Sequence, residues 1–230
     1  MYFDQDVSWS VFVTAFVTRR ERMVENQIAA RGVTSEKVLE AMRKVPREKF
    51  IPECLAELAY GDSPLPIGAD QTISQPYIVA LMTEQLTLQG GEHVLEIGTG
   101  SGYAAAVLAE IAGQVYTIER VAELAKSAAS ILAELGYENV HVVHGDGTLG
   151  CPEHAPYDGI VVTAGGPEVP ESLRQQLKLG GRMVIPIGSH PYFQSLVRIT
   201  RFGKTKFETE HLASVRFVPL VGAEGWAGEY

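Results

Sequence analysis

Val94-Leu95-Glu96-Ile97-Gly98-Thr99-Gly100-Ser101-Gly102-Tyr103 is the stretch whose reading decides the fold. Val94, Leu95 and Ile97 form a short apolar run of the kind found in parallel strands buried on both faces. Gly98, Gly100 and Gly102 then let the backbone turn sharply and approach a ligand closely. The A-A-A-V-L-A-E-I-A that follows is rich in helix formers and meets a terminator at Gly113. Strand, glycine loop and helix make the first half of a nucleotide-binding βαβ unit, so the class expected is α/β with a doubly wound sheet.

The loop's spacing narrows what can sit on it. A dinucleotide fingerprint reads G-x-G-x-x-G, whereas the third glycine here comes one residue early. Glu96 precedes the loop at the strand's carboxyl end, where a pyrophosphate would meet an added negative charge. A ligand presenting a cation suits that carboxylate better. S-adenosylmethionine has an ammonium, a sulfonium, a ribose and an adenine, and no phosphate.

Working outward, 230 residues fit one α/β domain with a small appended part. A net charge of −9 argues against a nucleic-acid partner, because phosphate binding needs a basic face. No stretch has the length of a membrane span. The apolar segment Val7 to Thr18 follows Asp4 and Asp6, not the basic residues of a secretory signal. Its alternation of Val11, Val13 and Ala15 with Phe12, Thr14 and Phe16 reads as a strand or docking arm. Cys54 and Cys151 form neither a metal-type spacing nor a disulfide framework, which points to a reducing, cytoplasmic compartment.

Arg19 to Arg31 reads as a helix ended by Gly32, and Thr34 or Ser35 caps a second helix with Val38, Leu39 and Met42 on one face. Val45-Pro46 breaks it. Asp62 to Asp70, punctuated by Pro64, Pro66 and Gly68, reads as a loop. Pro76 opens a further helix with Ile78, Leu81, Met82 and Leu86 as its stripe. Strands are expected at Val115–Ile118, Val140–Val143, Gly159–Val162, Met183–Ile185, Leu196–Ile199 and Val215–Val221, with helices near Val121–Leu135 and Leu173–Leu177.

Ligands of open α/β sheets bind beyond the carboxyl ends of the strands. Glu96, Glu119 and Asp146 all stand at such ends. Glu119, about 20 residues past the first glycine, can accept both ribose hydroxyls. Asp146-Gly147 falls where an adenine amino group would lie; a surface acid and a simple turn would account for either position alone, but three acids on one sheet edge favour the ligand reading. Ser74 precedes a helix N-terminus, where it either caps the helix or helps hold an anion. His141 and His144 lack further ligands nearby, so no metal site is expected, and no G-x-S-x-G elbow marks a serine hydrolase.

With these residues in view, the chain resembles the protein-L-isoaspartate O-methyltransferases from about Met23 to Leu220. The segments that carry the resemblance are V-P-R-E-K-F-I-P, Q-T-I-S-Q-P-Y-I-V-A, V-L-E-I-G-T-G-S-G-Y, G-D-G and R-F-V-P-L. The glycine loop is common to many methyltransferases; T-I-S-Q-P narrows the family. The resemblance implies a Rossmann-like, seven-stranded methyltransferase sheet with an N-terminal helical subdomain. The chain is expected to divide into an arm (1–18), for which nothing in the family accounts, and one domain (19–230), helical over 19–75 and Rossmann-like over 76–230. It implies S-adenosylmethionine as methyl donor and an isoaspartyl residue of a damaged protein or peptide as acceptor, the ester product then closing to a succinimide.

By motif match, Ser74 is similar to the family's active-site serine. Ile67, Gly68, Glu96, Gly98, Gly100, Ser101, Glu119, Arg120, Asp146 and Gly147 match the cofactor pocket, and Thr72, Val218 and Pro219 the acceptor side. Three positions depart: Val79 stands where some members carry histidine, Val221 where some carry threonine, and Ala104 is shorter than expected. Rival readings are a small-molecule methyltransferase, a nicotinamide dehydrogenase and a cofactor-binding module without chemistry. A carboxylate acceptor is already an anion at neutral pH, so the chemistry needs alignment and removal of water rather than a general base.

Overall fold

Helical segments precede the sheet and pack on it. In the computed structural model, which describes residues 15–191 and 193–228, helix α1 covers 15–23. It runs on through a π-type turn at Val24–Ile28 and a 3-10 turn at Ala29–Arg31. Gly32, at φ 98°, stops it in the left-handed region that favours glycine. The expectation of a strand or arm at Val11–Phe16 falls mainly outside the described residues, but Ala15 and Phe16 are already helical.

Helix α2 is Glu36–Lys44, with Val38, Leu39, Ala41 and Met42 buried. Its N-cap is Ser35, which makes no side-chain capping bond; Glu84 instead accepts from the backbone N–H groups of Thr34 and Ser35, both at 2.7 Å. The segment read as a loop contains a hairpin, β1 (Leu65–Gly68) against β2 (Gln71–Ile73). Its turn places Ala69 and Asp70 at φ 49° and 55°, as two-residue hairpin turns require. Helix α3 is Pro76–Leu86, and it buries Val79 and Ala80 with Met82 and Leu86, leaving Ile78 and Leu81 only half-buried.

The main sheet comprises β3 (His93–Ile97), β4 (Gln114–Glu119), β5 (Val140–His144), β6 (Tyr157–Val162), β7 (Leu177–His190), β8 (Phe193–Arg201) and β9 (Phe207–Val215). Their spatial order is β5-β4-β3-β6-β7-β8-β9, parallel up to β7 and antiparallel beyond it. Helices α4 (Tyr103–Ala109), α5 (Ala122–Glu134) and α6 (Glu171–Gln176) connect the parallel strands. The last strand ends at Val215, and the expected strand Val215–Val221 is instead a return segment with isolated bridges at Pro219 and Val221.

Alternation along β3 divides the core. Val94 belongs to one apolar cluster, with Leu108, Val115 and Val184, while Leu95 and Ile97 join another with Ile118, Ile160 and Leu173. Burying each such side chain stabilises the fold by roughly 1.5–3 kcal/mol, so the strand end that carries the glycine loop is anchored from both faces. The chain winds from β3 outward to β5, then returns to β6 on the other side of β3. That reversal opens a crevice at the carboxyl ends of β3 and β6.

Candidate active site

The glycine loop fills this crevice for reasons legible in its backbone. Gly98, Gly100 and Gly102 have φ of 93°, 53° and 90°, all in the region that costs a side chain dearly. Space forbids a side chain as well: a Cβ on Gly98 would lie 2.4 Å from Thr163 Oγ1, and one on Gly102 3.2 Å from Leu132 of α5. Thr163, the residue after β6, donates its hydroxyl to the carbonyls of Gly98 (2.7 Å) and Ile97 (3.0 Å). This clasp locks the loop to the neighbouring strand. Sequence reading missed Thr163, whose one signal was its place just after a strand at the switch point.

Glu119 ends β4 and is 6% exposed. Its Oε2 accepts from Gly100 N–H at 2.8 Å and its Oε1 from Val121 N–H at 2.9 Å. Each carboxylate oxygen retains further acceptor capacity, so the group is held by the backbone and can still receive two hydroxyl donors. The cleft is partly open to solvent. Its walls include Gly98, Gly100, Ser101, Glu119, Arg120 and Gly147 on the sheet side. Facing them are Thr72, Ser74, Val218, Pro219 and Leu220. Val79, Ala104 and Val221, the three departures from the family pattern, also line it.

Four expected residues stand apart from these walls. Glu96 is completely buried: β3 is covered on both faces, and the carboxyl turns toward the neighbouring strand β4 and not out of the strand's end. Its Oε2 accepts the Thr117 hydroxyl at 2.5 Å, Thr117 in turn meets Thr99 at 2.6 Å, and Oε1 has no partner. Burial pushes its carboxyl up to about 8, against the Thr117 hydrogen bond and with help from Glu119. Burial thus favours the protonated, uncharged form of this carboxyl.

Asp146 spends its carboxylate on protein groups. Oδ1 accepts Thr148 N–H and Oγ1, at 2.9 and 2.7 Å, and Oδ2 accepts Ala223 N–H at 2.7 Å. Ile67 and Gly68 lie on β1, with Ile67 Cδ1 packed over the loop only 3.3 Å from where a Cβ of Gly100 would stand. Among the described residues no cluster of His, Cys, Asp or Glu could hold a metal ion.

Ser74 joins β2 to α3, fixed on either side. Ile73 before it is buried and pairs with Leu65. Gln75 after it is the N-cap of α3 and makes no side-chain capping bond, so Ser74 is not the cap of this helix. The capping role falls to Asp62, whose Oδ1 accepts Tyr77 N–H at 3.3 Å and whose Oδ2 accepts Gln75 Nε2 at 2.6 Å. Arg31 pairs with the same carboxylate at 2.5 Å and lies 3.5 Å over the Tyr77 ring.

The opposite wall is held by the end of the chain. Val218 and Leu220 bracket Gly165 in hydrogen bonds of 2.8 Å each, and Trp226 Nε1 donates to Gly165 O at 2.9 Å. The turn between them approaches Asp146 so closely that a Cβ on Gly222 would lie 2.1 Å from Oδ1. Glu224 N–H donates to Thr148 Oγ1, and its carboxylate accepts Ser172 N–H and Oγ. One strap thus ties this wall of the cleft to the loop after β5.

The donor set bears on the ligand. A dinucleotide's pyrophosphate needs cationic or N–H-rich surroundings, yet Arg120 is the cleft's one basic side chain and it is exposed. A backbone-braced carboxylate with spare acceptor sites fits a vicinal diol. S-adenosylmethionine, uncharged at its ribose and free of phosphate, fits these residues.

Comparison with known proteins agrees with this geometry. The profile of the protein-L-isoaspartate(D-aspartate) O-methyltransferase family matches residues 18–225. The chain is 66% identical over 204 residues to a protein-L-isoaspartate O-methyltransferase of Rhodopseudomonas palustris, covering 89% of this chain and 94% of the relative. It is 59% identical over 208 residues to protein-L-isoaspartate O-methyltransferase 2 of Pelobacter propionicus, covering 90% and 92%. A solved protein-L-isoaspartate O-methyltransferase superposes with a TM-score of 0.81 at 33% identity, covering 90% of this chain and 67% of that one. A Plasmodium falciparum protein described as a beta-aspartate methyltransferase, in complex with S-adenosyl-L-homocysteine, gives a TM-score of 0.76 at 28% identity, covering 88% and 98%. The chain belongs to the protein-L-isoaspartate(D-aspartate) O-methyltransferase family.

Proposed function

We propose that this protein transfers the methyl group of S-adenosylmethionine to the free α-carboxylate of L-isoaspartyl residues in damaged proteins and peptides. The observation that carries this reading is the single cleft lined on one wall by Glu119 and the glycine loop and on the other by Thr72, Ser74, Val218 and Pro219. When bound, S-adenosylmethionine supplies an electrophilic methyl group on a sulfonium. Glu119 accepts the ribose hydroxyls, Gly98, Gly100 and Ser101 line the cofactor's path, and Gly147 borders the adenine with Asp146 shaping the loop behind it.

Ser74 donates a hydrogen bond to the acceptor carboxylate and so aims one of its oxygens. No proton has to leave the acceptor, and Glu119, the cleft's one acidic side chain, is already committed to two backbone N–H groups. The chain's contribution is therefore alignment and exclusion of water, which together are worth up to roughly 7–11 kcal/mol. Val218 and Pro219 provide apolar contact for the peptide flanking the isoaspartyl residue.

The protein works in the cytoplasm on isoaspartyl-containing proteins. Its two cysteines are unpaired and one is exposed, and no helix among the described residues is long and apolar enough to cross a membrane. The decisive assay supplies labelled S-adenosylmethionine with paired isoaspartyl and aspartyl peptides of one sequence. Base-labile label in the isoaspartyl peptide alone supports the reading; equal labelling of both peptides overturns it.

A further inference from the structure

We propose that Asp62 is a positioning residue for the reaction, capping α3 from a distant part of the chain and thereby holding the Ser74 hydroxyl at the acceptor carboxylate. This rests on the reading of Ser74 given above.

The first turn of a helix has N–H groups without intrahelical partners, and an N-cap side chain usually takes one of them. At α3 the local sequence offers no such group: Gln75 makes no side-chain capping bond, and Pro76 has no N–H. The Tyr77 N–H is thus the donor in need of an acceptor, and Asp62 Oδ1, 15 residues away, provides it. The other oxygen takes the amide of Gln75, the residue next to Ser74. One carboxylate therefore fixes both the backbone after Ser74 and the side chain beside it.

Charge strengthens the arrangement. A carboxylate near a helix N-terminus is favoured by the dipole, and the Arg31 guanidinium orients this one while lying over the Tyr77 ring. Arg31 ends the first helical segment, Asp62 precedes the β1–β2 hairpin and Tyr77 stands in the first turn of α3, so the clamp gathers three segments around Ser74. Asp62 itself is not among the cleft's lining residues. Its effect on chemistry must pass through Ser74, and that makes the proposal testable by non-additivity.

The experiment compares Asp62→Ala, Asp62→Asn, Ser74→Ala and Asp62→Ala/Ser74→Ala on an isoaspartyl peptide, with S-adenosylhomocysteine affinity measured by calorimetry. Asp62→Ala should lower kcat about tenfold, the scale of one lost charged hydrogen bond, and leave S-adenosylhomocysteine affinity within about threefold. Asp62→Asn keeps an acceptor for Tyr77 and should recover part of the loss. The double variant should turn over no more slowly than Ser74→Ala. Losses that multiply in the double variant would overturn the proposal while leaving Ser74 in its role. Full turnover by Asp62→Ala would do the same. Full turnover by Ser74→Ala would instead refute the reading of Ser74 and this proposal with it. Should Asp62→Ala fail to fold, Asp62→Asn with and without Ser74→Ala supplies the same cycle.

Discussion

The Gly100 N–H donates to Glu119 Oε2 at 2.8 Å, joining the tip of the glycine loop to the carboxylate that ends β4. The bond crosses two adjacent parallel strands, so one contact sets both the loop's shape and the orientation of the Glu119 carboxylate, the proposed diol acceptor. Glu119→Ala should therefore weaken S-adenosylmethionine binding by about 1–3 kcal/mol, from the lost ribose acceptors. Calorimetry on the folded variant checks this, and unchanged affinity would put the ribose elsewhere.

Acceptor choice follows from the cleft's polarity. An isoaspartyl residue presents a free α-carboxylate on a backbone lengthened by one methylene, and in the proposed reading Ser74 donates to the former. Kinetics on a peptide pair differing only in that linkage should give turnover with the isoaspartyl form and almost none with its aspartyl twin. A phenol reacting in place of either peptide would reinstate the small-molecule reading.

Ser74→Ala separates alignment from architecture. Because Gln75 and Asp62 occupy the capping positions, removal of the Ser74 hydroxyl should leave the melting temperature nearly unchanged. Methylation should slow roughly 10–100-fold, as loss of one hydrogen bond to a charged group allows. A drop in stability with full turnover per folded molecule would return Ser74 to a structural role.

Glu96 makes stability depend on pH. Its carboxyl lies at about 8 in the fold, against an ordinary 4.5. Between those values the unfolded chain has lost the proton and the folded chain retains it, so stability falls as pH rises through this window and falls no further above it. The loss by pH 8 is on the order of 3–5 kcal/mol. Glu96→Gln, isosteric and permanently neutral, should be close to the parent at pH 5 and more stable at pH 8 in urea unfolding. Parallel profiles would show that the buried carboxyl is not the source.

The glycine loop and Glu119 were readable because their constraints are local: left-handed φ values demand glycine, and the acid's distance from the loop is the length of one helix and one strand. Glu96 misled because proximity to a strand's end says nothing of which way a side chain points when both faces are covered. Pro66 and Gly68 hid the β1–β2 hairpin, since both depress strand propensity and are accommodated here at an irregularity of a two-stranded ribbon. Thr163 and Asp62 act across long sequence separations, on Gly98 and on Tyr77, and such partnerships exist only once the strands and helices are assembled. The family segment T-I-S-Q-P located Ser74 but not the clamp that holds it.

The strap from Val218 to Trp226 has a consequence for biosynthesis. A nascent chain that has emerged only as far as β9 already possesses the glycine loop, Glu119 and Ser74, yet lacks the acceptor wall and the turn that leans on Asp146. The Val218–Leu220 wall of the cleft is therefore the last part of the site to be synthesised.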